Sequence, residues 1–354
     1  MPNRYVVVGA GAVGGAIGGR LHQAGRPVVL VARGPHLEAL RRDGLRLRTP
    51  EEDVRLAVPV VGGPDELALT PDDVLVFATK TQQVDAALRT WADVDVHADG
   101  KVVGPAGALL PALTALNGVA AEAMAQRYFA RVVGVCVWMP AVHLEPGEVI
   151  VRGAPTSGLL HLGSVPAGRE ADLLAGVSAD LVAATFDAPL PADVMPWKYR
   201  KLLSNLGNAL QALVGPARGT RGLAEQLDAE ARAVLDAARI DVTPDAEEAA
   251  ARAAGFTMHS VPGVPDDVGG STWQSLQRGT GNVETDYLNG EIARIAHGLG
   301  QDAPLNARLA SLVRQAAARG QQPGAVTVVE VAEALGLQER GAGRPIPPER
   351  QGPQ

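Results

Sequence analysis

Two hydrophobic patterns divide the chain. Up to about Asp187, short apolar runs alternate with stretches whose apolar residues recur every three or four positions, the signatures of buried strands and amphipathic helices. Val6 to Val8 opens the series as a strand. A helix over Ala16 to Gln23, a strand over Pro27 to Val31 and a short helix over Pro35 to Arg42 follow. Leu45 to Arg48 and Val54 to Val60 read as a hairpin or edge strands, and Asp73 to Ala78 as a strand buried on both faces of a parallel sheet. The alternation continues with a helix over Gln82 to Trp91, a strand over Lys101 to Val103, a helix over Ala120 to Phe129 and a strand over Val132 to Trp138. Gly147 to Arg152 and Gly158 to Gly163 are expected to pair antiparallel, ahead of a helix over Arg169 to Ala183.

The Pro-containing stretch Pro189 to Pro196 marks a boundary, and beyond it the strand signal largely disappears. Trp197 to Val214, Leu223 to Ile240, Pro244 to Ala254, Val268 to Arg278, Val283 to Leu299, Asn306 to Arg319 and Thr327 to Leu335 read as helices. The expected fold class is therefore α/β: an N-terminal Rossmann-type dinucleotide-binding domain over residues 1–190, then an all-helical domain over 191–337, with a cleft between them. Residues 338–354 have almost no apolar side chains and are expected to form a disordered tail.

Where the first strand meets its helix, the chain reads Gly9-Ala10-Gly11-Ala12-Val13-Gly14. In a strand–turn–helix setting, the first glycine permits the tight turn and the second lets backbone approach a pyrophosphate. The third lets the helix pack close to the sheet, and the helix N-terminus faces the phosphates. A Gly-rich packing turn is the bland alternative. The second strand ends in Arg33, with no acid between Arg26 and Glu38. An NAD site usually places an acid there for the ribose 2′-hydroxyl, whereas a guanidinium suits a 2′-phosphate. NADP is thus the expected cofactor.

Composition narrows the field further. A net charge of −7 offers no general attraction to nucleic acid or anionic membrane, so any anionic ligand must be held by local cations. The single cysteine, Cys136, excludes an intrachain disulfide and a thiolate metal cluster, and no metal-ligand spacing occurs. With no leader pattern, a cytoplasmic protein is expected. The uncharged stretch Val102 to Ala121 contains Pro105, Pro111 and Asn117, and is read as turns and short strands rather than a membrane span.

Several polar residues fall in awkward places. Lys80 follows the strand Val74 to Ala78, whose carboxyl end should face the ligand crevice; it is otherwise a solvated strand-end lysine. Asn117-Gly118 either presents an amide to a ligand or simply closes a turn. Lys201, Asn205 and Asn208 fall on one helical stripe, facing either a polar ligand or solvent. Ser271 and Glu284, each near the start of a helix, are candidates for the site or for ordinary capping.

Together these residues resemble the ketopantoate reductase family over roughly Arg4 to Arg319. The likeness rests on Gly9 to Gly14, Arg33, Lys80-Thr81-Gln82, Asn117-Gly118, Lys201-Leu202-Leu203-Ser204-Asn205, Ser271-Thr272-Trp273-Gln274 and Glu284 to Gly290. It implies an NADPH-binding Rossmann domain, a helical substrate domain and catalysis in the cleft on a small 2-oxo acid. By the same resemblance Lys201 is the general acid, and Glu284 supports both it and the substrate. Lys80, Asn117, Asn205 and Ser271 contact cofactor or substrate. Two departures stand out. Ala209 occupies the place of the family's second asparagine, with Asn208 just before it as a candidate substitute, and the usual Gln before Asn117 is missing. A paralogue acting on another 2-oxo acid and a non-catalytic NADP-binding regulator are the competing readings; a homodimer is one assembly state left open.

Overall fold

The computed structural model describes residues 4–215, 219–266, 268–279 and 281–337; the expected tail lies outside them. Its N-terminal half is built on an eight-stranded sheet. In chain order the strands are β1 (Arg4–Val8), β2 (Val28–Val31), β3 (Val60–Val61), β4 (Asp73–Phe77), β5 (Pro111–Thr114), β6 (Arg131–Trp138), β7 (Gly158–Ser164) and β8 (Phe186–Asp187). Their spatial order is β3-β2-β1-β4-β5-β6-β7-β8. The pairs from β3 to β6 are parallel, and β7 runs antiparallel to β6. The unbroken apolar run of β1 has a direct cause. Tyr5 and Val7 enter one hydrophobic core, Val6 and Val8 the other, because successive strand side chains point to opposite faces.

The helix Ala12–Gln23 sits against the first of these faces at short range. A Cβ on Gly14 would lie 2.0 Å from the Gly9 carbonyl oxygen, and one on Gly18 would lie 2.5 Å from Leu30 Cδ2. On its other side the helix meets a four-stranded sheet formed by Ala141–Val142, Glu148–Val151, Leu45–Arg48 and Asp53–Leu56. This corrects one expectation. Glu148–Val151 pairs with Ala141–Val142 and Leu45–Arg48, whereas β7 pairs with β6, so the two segments expected to pair belong to different sheets.

The C-terminal half is helical, with two apolar clusters of its own. The helix expected over Trp197 to Val214 is two, Met195–Asn205 and Gly207–Val214, broken at Leu206. The helix expected over Val283 to Leu299 is a single 3-10 turn, Thr285–Tyr287, followed by Asn289–Gly298. Asn289 and Asn306, both fully buried, share a 2.9 Å hydrogen bond that fixes this segment from within. No helix among the described residues is long and apolar enough to cross a membrane.

Two devices join the halves. The short strand Phe256–Met258 leaves the helical region and pairs antiparallel with Gly153–Pro155. More deeply, Lys198 Nζ lies 2.5 Å from Glu122 Oε1, with both side chains 2% exposed. Thr114 Oγ1 at the end of β5 donates to the same carboxylate oxygen. A buried charge pair of this kind is specific in geometry and costly to break from one side.

Candidate active site

The carboxyl ends of β1, β4 and β5 open on a cleft of about 670 Å³, roofed by the helical residues Lys201, Asn205, Asn208 and Ser271. At its floor Gly9 has φ +104, and a Cβ there would lie 2.9 Å from Thr79 N, so the turn requires glycine. Gly11 meets no atom within 4 Å of where its Cβ would be, and it lines the cleft with Ala12 and Val13. The glycine turn therefore presents bare backbone and a helix start to an open space, which fits a diphosphate. Ala10 and Gly14 are buried beneath it. The Ala10 carbonyl accepts from His36 Nε2 at 2.8 Å, while His36 Nδ1 accepts from Gly147 N, which fixes the neutral tautomer. Arg33 stands outside the cleft lining, exposed just beyond β2, and its side chain makes no hydrogen bond or ion pair among the described residues.

Lys80 and Glu284 are brought together from positions 204 residues apart. Lys80 Nζ donates to Glu284 Oε2 at 2.7 Å, and the other carboxylate oxygen accepts from Thr81 N and Thr81 Oγ1, each at 3.0 Å. Burial opposes the charge on Glu284, and Lys80 with the two Thr81 donors outweighs it, so its pKa falls below the ordinary 4.5. The capping reading of Glu284 is thus half right. It makes no side-chain cap on its own 3-10 turn but binds the first N–H of the helix Thr81–Ala92 in the other half of the molecule. Ser271 makes no cap either; Gly270 occupies that position, and its N–H donates to Gln211 Oε1.

The asparagine stripe forms as the spacing suggests. Asn208 Nδ2 donates to Asn205 Oδ1 at 3.3 Å, and Asn205 Nδ2 donates to Asn117 Oδ1 at 3.2 Å. Asn117 is thereby held as an acceptor on one side, leaving its own amide N–H groups for the cleft. Lys201 behaves differently from expectation. Its Nζ rests 3.8 Å from the centre of the Trp138 ring, and it makes no hydrogen bond or ion pair with Glu284, which pairs with Lys80 instead. Burial lowers its pKa from 10.5 to about 8, Arg252 and Arg200 push the same way, and Glu248 opposes them. The acid that balances the cleft thus belongs to Lys80, and the low-pKa lysine owes its state to its apolar seat.

The sequence reading missed two further cations. Arg152 and Arg278 line the same cleft, giving four cationic side chains against the single acid Glu284 among the described residues. Arg278 Nη1 donates to the His143 carbonyl at 2.6 Å. His143 itself adds no charge near neutrality, because burial pushes its pKa down to about 4. In a protein of net charge −7 this excess of positive charge is local, and it suits anionic ligands. Among the described residues no cluster of three or more His, Cys, Asp or Glu could hold a metal.

This arrangement has relatives. The family model described as Ketopantoate reductase PanE/ApbA matches residues 5–167, and its C-terminal counterpart matches residues 193–317. A 2-dehydropantoate 2-reductase of Mesorhizobium japonicum is 30% identical over 342 residues, covering 90% of this chain and 99% of the relative. One from Pyrococcus horikoshii is 25% identical, covering 88% and 96%. The crystal structure of a PanE/ApbA family ketopantoate reductase from Ralstonia eutropha JMP134 superposes with a TM-score of 0.71 at 27% identity, over 89% of this chain and 99% of that one. With both family models matched in order and 99% of the Mesorhizobium relative covered at 30% identity, the chain belongs to the ketopantoate reductase family.

Proposed function

We propose that the protein reduces 2-dehydropantoate (ketopantoate) to pantoate with NADPH. Residues 1–190 form the cofactor domain and residues 191–337 the helical domain that completes the site. The observation that carries this reading is the cleft itself. A glycine turn suited to a diphosphate opens into the same space as a low-pKa lysine and an excess of cations. Gly9 to Gly14, Lys80 and Asn117 would hold NADPH, which supplies the hydride when bound, and Arg33 would take its 2′-phosphate.

The chain's own chemistry is to hold the 2-oxo acid and manage the proton. As the C2 ketone is reduced, negative charge grows on its oxygen, and an ammonium nearby stabilises that charge and then protonates it. Lys201 fills this role, since a pKa near 8 leaves it protonated at neutral pH yet able to give the proton up. Asn205, Asn208 and Ser271 orient the substrate's polar groups, with Lys80 supplying charge. Glu284 positions Lys80 and ties the roof to the floor. A cytoplasmic setting belongs to the same reading, in keeping with the lone buried Cys136.

The test is NADPH consumption with ketopantoate against a panel of other 2-oxo acids. The largest kcat/KM should fall to ketopantoate; a larger value for another acid would move the assignment to a paralogous substrate. Cofactor choice has its own check. Arg33→Ala should weaken NADPH binding by about 1.5–3 kcal/mol, the range for hydrogen bonds to charged groups, and leave NADH nearly unchanged. Equal loss for both cofactors would remove Arg33 from the 2′-phosphate.

Glu284 supplies a pH signature. Its folded pKa is depressed, so its contribution to stability is present above the unfolded value near 4.5 and is lost as pH falls through the folded pKa. Glu284→Gln should therefore melt below wild type at pH 7, with the gap closing on acidification below about pH 4. Thermal melts from pH 7 to pH 3 follow this directly, and a gap that does not narrow at all below the unfolded value near 4.5 would mean that the charge is not what stabilises the contact.

A further inference from the structure

The cleft's charges are not all accounted for by the roles above. Lys80 is balanced by Glu284, and Lys201 rests on the face of Trp138. Arg278 is half-buried and lies in the field of Glu284. Arg152 has no such relief. Two arginines of the described residues are buried, Arg20 at 8% exposure and Arg152 at 4%. Arg20 is paired with Glu52 at 2.5 Å, whereas Arg152 has no carboxylate within ion-pair distance among the described residues. Its Nη1 donates to the Asp266 carbonyl at 3.1 Å and its Nη2 to the Pro265 carbonyl. Its buried Nε–H has no hydrogen-bond partner among the described residues.

A guanidinium held out of water against neutral carbonyls carries a desolvation penalty that those carbonyls only partly offset. The backbone nevertheless fixes it in place. Arg152 N donates to the Pro140 carbonyl and its own carbonyl accepts from His259 N, both at 2.9 Å. Arg152 and Lys201 both line the cleft, together with Pro140 and Met139. An arginine that lines the cleft and meets only neutral carbonyls is suited to a carboxylate, which would supply the missing charge.

We propose that Arg152 binds the carboxylate of the 2-oxo acid and so sets the enzyme's preference for acids over their neutral derivatives. This rests on the reading of the cleft as a 2-oxo acid reductase site. The carboxylate completes the charge balance of Arg152 on binding, and its neighbouring C2 carbonyl is thereby presented to Lys201. Arg152 is then a specificity residue, present in the ligand-free protein as a stored imbalance of charge rather than as a structural ion pair.

Arg152→Gln tests this with two substrates, ketopantoate and its neutral lactone, which keeps the 2-oxo group and lacks the carboxylate. The variant should raise KM for the acid by about 10²-fold, as expected when one partner of a buried charge pair is removed. It should leave kcat/KM for the lactone and the Kd for NADPH within about threefold of wild type. Its melting temperature without ligand should equal or exceed that of wild type, because an unbalanced buried charge has been removed. Arg152→Lys, which keeps the charge and loses the fork, should fall between the two.

Calorimetric titration of the NADP complex with oxalate, an unreactive carboxylate ligand, gives a readout independent of turnover. Binding by wild type that is lost in Arg152→Gln supports the assignment even if ketopantoate is not the substrate, a result that would overturn only the proposed function. Parallel losses for acid and lactone, or an acid KM unmoved by Arg152→Gln but raised by Arg278→Gln, would overturn the assignment to Arg152.

Discussion

Lys201→Ala retains NADPH binding and loses turnover by about 10²–10⁴-fold, the usual share of a positioned general acid. Binding survives because Lys201 belongs to the helix Met195–Asn205, away from the glycine turn that would carry the diphosphate. The loss is large because the other cations among the described residues of the cleft are ill placed to replace it. Lys80 is engaged by Glu284, and the arginines hold their protons too tightly to give them up. Wild-type kcat/KM should fall as pH rises through about 8, where Lys201 loses its proton, and Lys201→Ala should lack that limb. Stopped-flow reduction assays across pH 6 to 10, run beside NADPH fluorescence titrations, check both parts. A variant with wild-type turnover would transfer the acid to Lys80 or to water.

The second large effect is on folding and concerns a lysine only one helical turn away. Lys198→Met should cost about 3–5 kcal/mol, because it leaves Glu122 charged, 2% exposed and bonded only to Thr114. Glu122 Oε2 already lacks a hydrogen-bond partner among the described residues, so none of them takes up the released charge. Replacing both residues, Lys198→Met with Glu122→Leu, should recover most of the loss, since a buried pair exchanged for apolar groups of similar size is often neutral. Denaturant unfolding of both variants decides the matter. A single variant within about 1 kcal/mol of wild type would show that water reaches the pair. The two lysines thus separate cleanly: Lys198 is held in the interior, and Lys201 is the one that lines the cleft.

Much of the nucleotide half could be read from the sequence because its signals are local. The roles of Gly9 and Gly14 follow from a strand, a turn and a helix within a few residues, and the structure places backbone where their side chains would be. The stripe Lys201, Asn205 and Asn208 was also legible, and it survives the break at Leu206. That residue keeps helical angles, φ −59 and ψ −35, so the phase carries across the interruption. The strand Pro111–Thr114 falls in the stretch read as turns and short strands, but its leading proline left it without bounds, although proline is tolerated at the first position of a strand.

What stayed illegible depends on contacts across the chain. Nothing near Glu284 announces that its carboxylate reaches Lys80 and Thr81, about two hundred residues earlier. Lys198 looks like any helical lysine until Glu122 is placed beside it. Arg152 follows a strand and carries no motif; only the absence of a carboxylate around a buried guanidinium marks it. Burial and charge balance are properties of the assembled fold, so these residues could be found only there.

Hydride transfer to a 2-oxo acid is the central claim, and isotope transfer tests it most directly. Ketopantoate is incubated with the protein and NADPH carrying deuterium at both nicotinamide C4 positions, and the product is weighed by mass spectrometry. The account predicts pantoate one mass unit heavier, with the label on C2. Cofactor that stays reduced, or pantoate formed without label, would contradict it.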